Sequence, residues 1–259
     1  MPLEPLLSFL VVVARGKIDV NKPARYHQNG IVADICVSTF MTTALETAID
    51  CVRNGSRSLS VSGLTSLSAR AYFVARVFAE TGRRVALITS SNTEAEEFTD
   101  EIRSFSKLNG QPASVGTLPA FESDPYSGTS PHAGTKETRA LTLFGLANRA
   151  IDIAVLPIRS LMFRTPTRSE ILDLSIYLKA GDWFETSDVR QNLIAGGYLL
   201  EDPVIGQGQY SFRGGIADIW PAGSEYPIRV EFFGDEIESM RTFDPETQRS
   251  IEPIAEILV

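Results

Sequence analysis

Two short runs constrain the fold more than any other feature: Arg84–Ile88 (RVALI) and Ile151–Leu156 (IDIAVL) are nearly wholly apolar over a strand's length. A strand with one wet face alternates apolar and polar residues. A strand apolar on both sides must be covered on both, as in a parallel sheet flanked by helices. The intervening segments have helical character. Ser38 caps a helix running to about Arg53, and Leu67–Ala79 carries apolar residues at helical spacing. Asn92 or Thr93 caps a third helix through Phe105, with Glu94, Glu96 and Glu97 placed to suit the helix dipole. A fourth spans Lys136–Asn148, and Ser58–Val61 reads as a further short strand. The apolar run Leu6–Ala14 lacks a basic leader and is too short to span a bilayer, so it reads as an amphipathic or buried first helix. This alternation predicts an α/β domain over residues 1–168, a parallel sheet with helices on both faces.

After Arg168 the texture changes. One helix is expected at Asp188–Ala195, stopping at Gly196-Gly197. Four segments then alternate in the manner of antiparallel strands: Gln209–Phe212, Ile216–Trp220, Ile228–Phe233 and Glu238–Thr242. Gly214-Gly215, Pro221–Ser224 and Gly234-Asp235 separate them as turns. Residues 169–259 therefore read as a small α+β antiparallel domain. Within Ile228–Phe233, alternation puts Arg229, Glu231 and Phe233 on one face and Val230 and Phe232 on the other. Phe233 is thereby an exposed aromatic, while Arg229 and Glu231 have cross-strand neighbours as their simplest partners.

The chain carries a net charge of -8. A protein that grips duplex DNA unaided shows a basic stripe, because it must displace counterions from many phosphates. No such stripe is visible. Cys36, Cys51, His27 and His132 lack metal-ligand spacing, and two isolated thiols suit a reducing compartment, hence the cytoplasm. His132 has no nucleophile beside it and reads as a hydrogen-bonded loop residue. No cofactor, metal or membrane association is expected.

One segment has the outline of a phosphate-binding loop without its chemistry. In G-x-x-x-x-G-K-[ST], glycines let the backbone wrap phosphates, Lys neutralises them and the hydroxyl holds magnesium. Aligned from Gly63, the second glycine is Ser68, the lysine is Ala69 and the hydroxyl position is Arg70. Nucleotide hydrolysis is not expected there, and no other catalytic constellation is present.

The most specific run is Tyr210-Ser-Phe-Arg213-Gly-Gly-Ile-Ala-Asp218-Ile-Trp-Pro-Ala-Gly-Ser-Glu225. It continues through Pro227-Ile-Arg229-Val-Glu231-Phe-Phe-Gly-Asp-Glu236 and Phe243-Asp-Pro-Glu-Thr-Gln248-Arg-Ser. These residues resemble the module shared by UvrB and the bacterial transcription-repair coupling factor. Upstream, Leu118-Pro-Ala-Phe-Glu-Ser-Asp124-Pro-Tyr126, Ser130-Pro131-His132 and Arg139 resemble the coupling factor more than UvrB. The degenerate phosphate loop points the same way. So does the lack of room, between Tyr126 and the helix near Lys136, for the DNA-probing hairpin of UvrB.

The resemblance implies a degenerate, RecA/helicase-like first domain. It also implies a second domain that docks the repair protein UvrA through Arg213, Arg229 and Phe233. It places contacts with RNA polymerase and DNA, and the ATP-driven motor, in domains C-terminal to Val259, so that this fragment is no enzyme. The rival readings are a UvrB-like DNA-binding module and a nucleotide-binding one.

Overall fold

The computed structural model describes residues 10–13, 41–56, 58–122 and 131–259. Ser38, Cys36, His27, Asp124, Tyr126 and Ser130 lie outside the described residues. By Cα packing the chain divides into two units, Met1–Thr129 with Arg149–Arg164, and Ser130–Asn148 with Thr165–Val259.

The first unit contains β1 (Leu10–Val13), α1 (Met41–Arg53), α2 (Leu67–Thr81), β2 (Val85–Thr89), α3 (Asn92–Leu108) and β3 (Val115–Thr117). The chain next forms α4 (Ala133–Ala147) of the second unit, then returns to the first as β4 (Ile153–Pro157) and a 3-10 turn, Ile158–Met162. The strands make a four-stranded sheet in the order β1-β2-β4-β3, every pair parallel. β2 and β4 are buried along almost their whole length, as their unbroken apolar sequences require. Helix α2 packs on α1 and α3, and α3 packs on β2, β3 and β4. Phe98, Leu87, Ile102, Ile153, Val74 and Val77 are fully buried in this unit, each contributing about 1.5–3 kcal/mol by leaving water.

Three local expectations are corrected. The N-terminal apolar run contains a strand, not a helix, at Leu10–Val13, where Val11, Val12 and Val13 pair with Ala86, Leu87 and Ile88. A run of β-branched valines loses rotamer freedom in a helix and suits a pleated strand. Ser58–Val61 forms no strand; Leu59 and Val61 instead pack partly buried against the core. The cap of α3 is Ser91, whose extended backbone lets its side chain accept the Glu94 N–H, while Asn92 ties the helix to the Ala120 backbone.

The second unit adds α5 (Arg168–Asp173), β5 (Tyr177–Lys179), α6 (Thr186–Ala195), β6 (Leu199–Leu200), β7 (Gln209–Arg213), β8 (Ile216–Ile219), β9 (Ile228–Phe233), β10 (Glu236–Phe243), β11 (Ser250–Pro253) and β12 (Glu256–Leu258). Six strands form one sheet in the order β11-β10-β9-β8-β7-β6, antiparallel except where β6 meets β7. One face of this sheet is apolar. Ala217, Ile219, Ile228, Val230, Phe232, Ile237 and Met240 cluster there with Val189 and Leu193 of α6 and with Ile176 and Leu178. The β7–β8 turn needs glycine at Gly215, since a Cβ there would stand 2.7 Å from the Phe232 carbonyl oxygen. Helix α4 is tied in by Glu137, whose carboxylate accepts the Gly223 N–H at 2.7 Å, and by Leu141 packed against Gly223.

Candidate docking site

The sheet's other face carries the chemistry. Residues directly opposed in an antiparallel ladder point to the same side, so register defines rows across it. One row runs Ser211, Asp218, Arg229, Arg241; the next runs Arg213, Ile216, Glu231, Ser239. Phe233 opposes Glu236 at the end of the β9–β10 hairpin. The structure thus brings Arg213, Arg229 and Phe233 onto one face, opposite the apolar core.

Their surroundings differ. Arg229 is largely covered, its side chain 17% exposed, and its fork is closed on Asp218: Nε donates to Oδ1 at 2.6 Å and Nη2 to Oδ2 at 2.8 Å. Its guanidinium lies over the Phe243 ring, 4.6 Å from the centroid. The hydrogen bonds to Asp218 push the Arg229 pKa above its ordinary value despite burial. Asp218 is 1% exposed and also accepts Arg213 Nη2 at 3.3 Å. The same Nη2 lies 3.2 Å from Asp202, while half of the Arg213 side chain stays in water. A single buried carboxylate therefore fastens both arginines. Phe233 is 77% exposed at the end of the paired strand β9.

Glu231 accepts from Arg241 Nη2 and from the Ser239 hydroxyl, each at 2.6 Å. These bonds, the one from Arg241 foremost, lower its pKa from 4.5 to about 2. This is the cross-sheet pairing expected of Glu231 from alternation alone.

The residues read as a degenerate phosphate loop make their contacts within their own unit. Gly63 adopts φ +89°, and Ser66 caps α2 by accepting the Ala69 N–H at 3.1 Å. The Ser68 hydroxyl donates to Glu101 at 3.0 Å. Arg70 reaches Glu94 at 3.5 Å and lies over the Phe98 ring at 5.1 Å. Burial pushes the Glu94 carboxyl up, but bonds from the Ser90 N–H and hydroxyl and the charge of Arg70 bring it below its ordinary value. Ionised, it pairs with Arg70, the cation at the end of this segment.

His132 is the N-cap of α4, its Nδ1 accepting the Gly134 N–H at 3.2 Å. Among the described residues no three His, Cys, Asp or Glu side chains are grouped to hold a metal, and no helix is long and apolar enough to cross a membrane.

Two residues of this face were not singled out from sequence. Asp218 carried a signal, a lone carboxylate in the apolar run Ile216–Trp220, but linking it to Arg229 needs the β8–β9 register. Trp183, 74% exposed, stands in an irregular segment with no period to read.

The family of the UvrB interaction domain matches residues 176–259, which contain every residue of this face. The transcription-repair-coupling factor of Haemophilus influenzae is 37% identical over 155 residues, 60% of this chain and 13% of that protein. That of Escherichia coli K12 is 32% identical over 190 residues, 73% of this chain and 16% of its own length. Over most of its length the chain is homologous to bacterial transcription-repair-coupling factors, and residues 176–259 carry a UvrB interaction domain. The Bacillus subtilis factor is 29% identical over 223 residues, 85% of this chain and 18% of that protein. The chain thus spans less than a fifth of these coupling factors, and its likeness to them extends from the antiparallel sheet into the parallel one.

Proposed function

We propose that the small domain, residues 169–259, is a docking platform for UvrA, and that the chain serves transcription-coupled nucleotide excision repair without catalysing a reaction itself. The observation that carries this reading is the outer face of the six-stranded sheet: Arg213 and Phe233 stand out in water, and Arg229 is locked beneath them through Asp218. An arginine with free donors beside an exposed aromatic is a common hot-spot composition, and a side chain already fixed loses little entropy on binding. In this reading Arg213 and Phe233 touch UvrA directly, and Arg229 contributes one outward edge while holding the face in shape. The first domain is a degenerate relative of RecA/helicase-like domains. RNA polymerase and DNA are contacted, and ATP is hydrolysed, by other parts of a longer cytoplasmic protein.

Capture of purified UvrA by the immobilised chain tests the reading. Arg213→Ala and Phe233→Ala are each expected to weaken binding about tenfold or more. Wild-type binding too weak to detect, or binding unchanged in both variants, would refute it.

A further inference from the structure

We infer that Trp183 is a second aromatic anchor of this docking face, gripping with Phe233 an apolar cleft edged by Lys or Arg on the partner. The inference rests on the reading of the face as a UvrA platform and adds a residue and a partner chemistry to it.

Trp183 forms an antiparallel bridge with Glu236, which opposes Phe233 across the hairpin. Directly opposed residues share a face, so Phe233, Glu236 and Trp183 form a third row beside those of Arg213 and Arg229. The bridge backbone is fixed from both sides: Phe184 N–H donates to the Asp235 carbonyl at 2.7 Å, and Ile237 N–H to the Asp182 carbonyl at 2.9 Å. That pattern makes the Trp183–Glu236 pair a close one, and the two aromatic residues stand roughly 10 Å apart between Cα atoms.

Single exposed hydrophobes are ordinary on protein surfaces. Here two aromatic side chains, 74% and 77% exposed, share one face with a carboxylate between them. Both are stiff, with few rotamers to lose, and each brings large apolar area to a contact. The electrostatic frame is one-sided. Residues 181–185 and 233–238 contain Asp182, Glu185, Asp235, Glu236 and Glu238 and no Lys or Arg. A cleft that accepts both rings must close over Glu236, which lies between them, within a segment free of Lys and Arg, and a basic rim compensates that carboxylate's loss of water.

The experiment measures UvrA affinity of the 259-residue chain for the wild type and for Trp183→Ala, Trp183→Phe, Glu236→Lys and Phe233→Ala. Trp183→Ala is expected to weaken binding about tenfold, Trp183→Phe by less, and Glu236→Lys by about tenfold. Thermal melts identify any loss due to folding, and Trp183→Phe keeps a ring in place should the alanine variant melt early. If Phe233→Ala weakens binding while both Trp183 variants match the wild type, the inference fails and the platform stands. If Glu236→Lys tightens binding, the basic rim is wrong. If the wild type captures no UvrA, the platform and the second anchor fall together.

Discussion

Asp218 is the residue on which the face depends. It is 1% exposed and holds two cations of unequal burial, so the arginines have separable signatures. Removing one partner of a buried pair leaves the other uncompensated, at about 3–5 kcal/mol. Arg229→Ala is therefore expected to lower unfolding stability by about 3 kcal/mol or more, measured by urea titration. Arg213→Ala, whose side chain is half exposed, should cost under about 1 kcal/mol. Loss of UvrA capture in Arg213→Ala then reports contact, whereas in Arg229→Ala it mixes contact with stability. Glu231 gives a pH signature. Its carboxyl falls from 4.5 to about 2 on folding, so the stability it supplies is complete above pH 4.5 and lost as pH drops towards 2. Melting the wild type and Glu231→Gln side by side should show a gap at pH 6 that closes over that window. The strand faces of this cluster were legible, since Arg229, Glu231 and Phe233 alternate with Val230 and Phe232. Its closed fork was not, because alternation says which side a residue faces and nothing about which residue across the ladder opposes it.

At the scale of elements, the long periodic or wholly apolar segments were readable and the short ones were not. β2, β4, α2, α3 and β7 to β10 lie where hydrophobic pattern and turn residues put them. Three-residue strands such as β3, β5 and β12 are too short for any period to register. At β1 the sequence is ambiguous, because an apolar run of its length suits a buried helix as well as a buried strand. The segment with a phosphate-loop outline keeps only part of such a loop's geometry. Its helix survives with a serine cap, but the residues before it form no ladder strand, and Glu101 and Glu94 hold Ser68 and Arg70. Calorimetry with magnesium and ATP is accordingly expected to show no heat of binding, and a saturable signal would contradict that assignment of the two carboxylates.

For the molecule as a whole, the change of texture after Arg168 conveyed that two architectures follow one another. The sequence did not reveal that α4, written into the parallel-sheet part of the chain, packs with the antiparallel part. Gly223 leans on α4 through Glu137 and Leu141. A fragment of residues 169–259 loses that support. It is expected to melt several degrees below the antiparallel sheet of the full chain, since each 1 kcal/mol moves a domain of this size by about 4–8 °C. An equal melting temperature would show that α4 is dispensable to the small domain.

The long reach of α4 also bears on how the protein is made. Glu137 waits for Gly223, 86 residues further along the chain. At a synthesis rate of about 5–20 residues per second, that is on the order of 4–17 seconds. Through that interval the segment that becomes α4 is without the sheet it packs on, its Leu141 side uncovered by that neighbour. Completing the antiparallel unit therefore waits on the end of the chain, a consequence of one displaced helix.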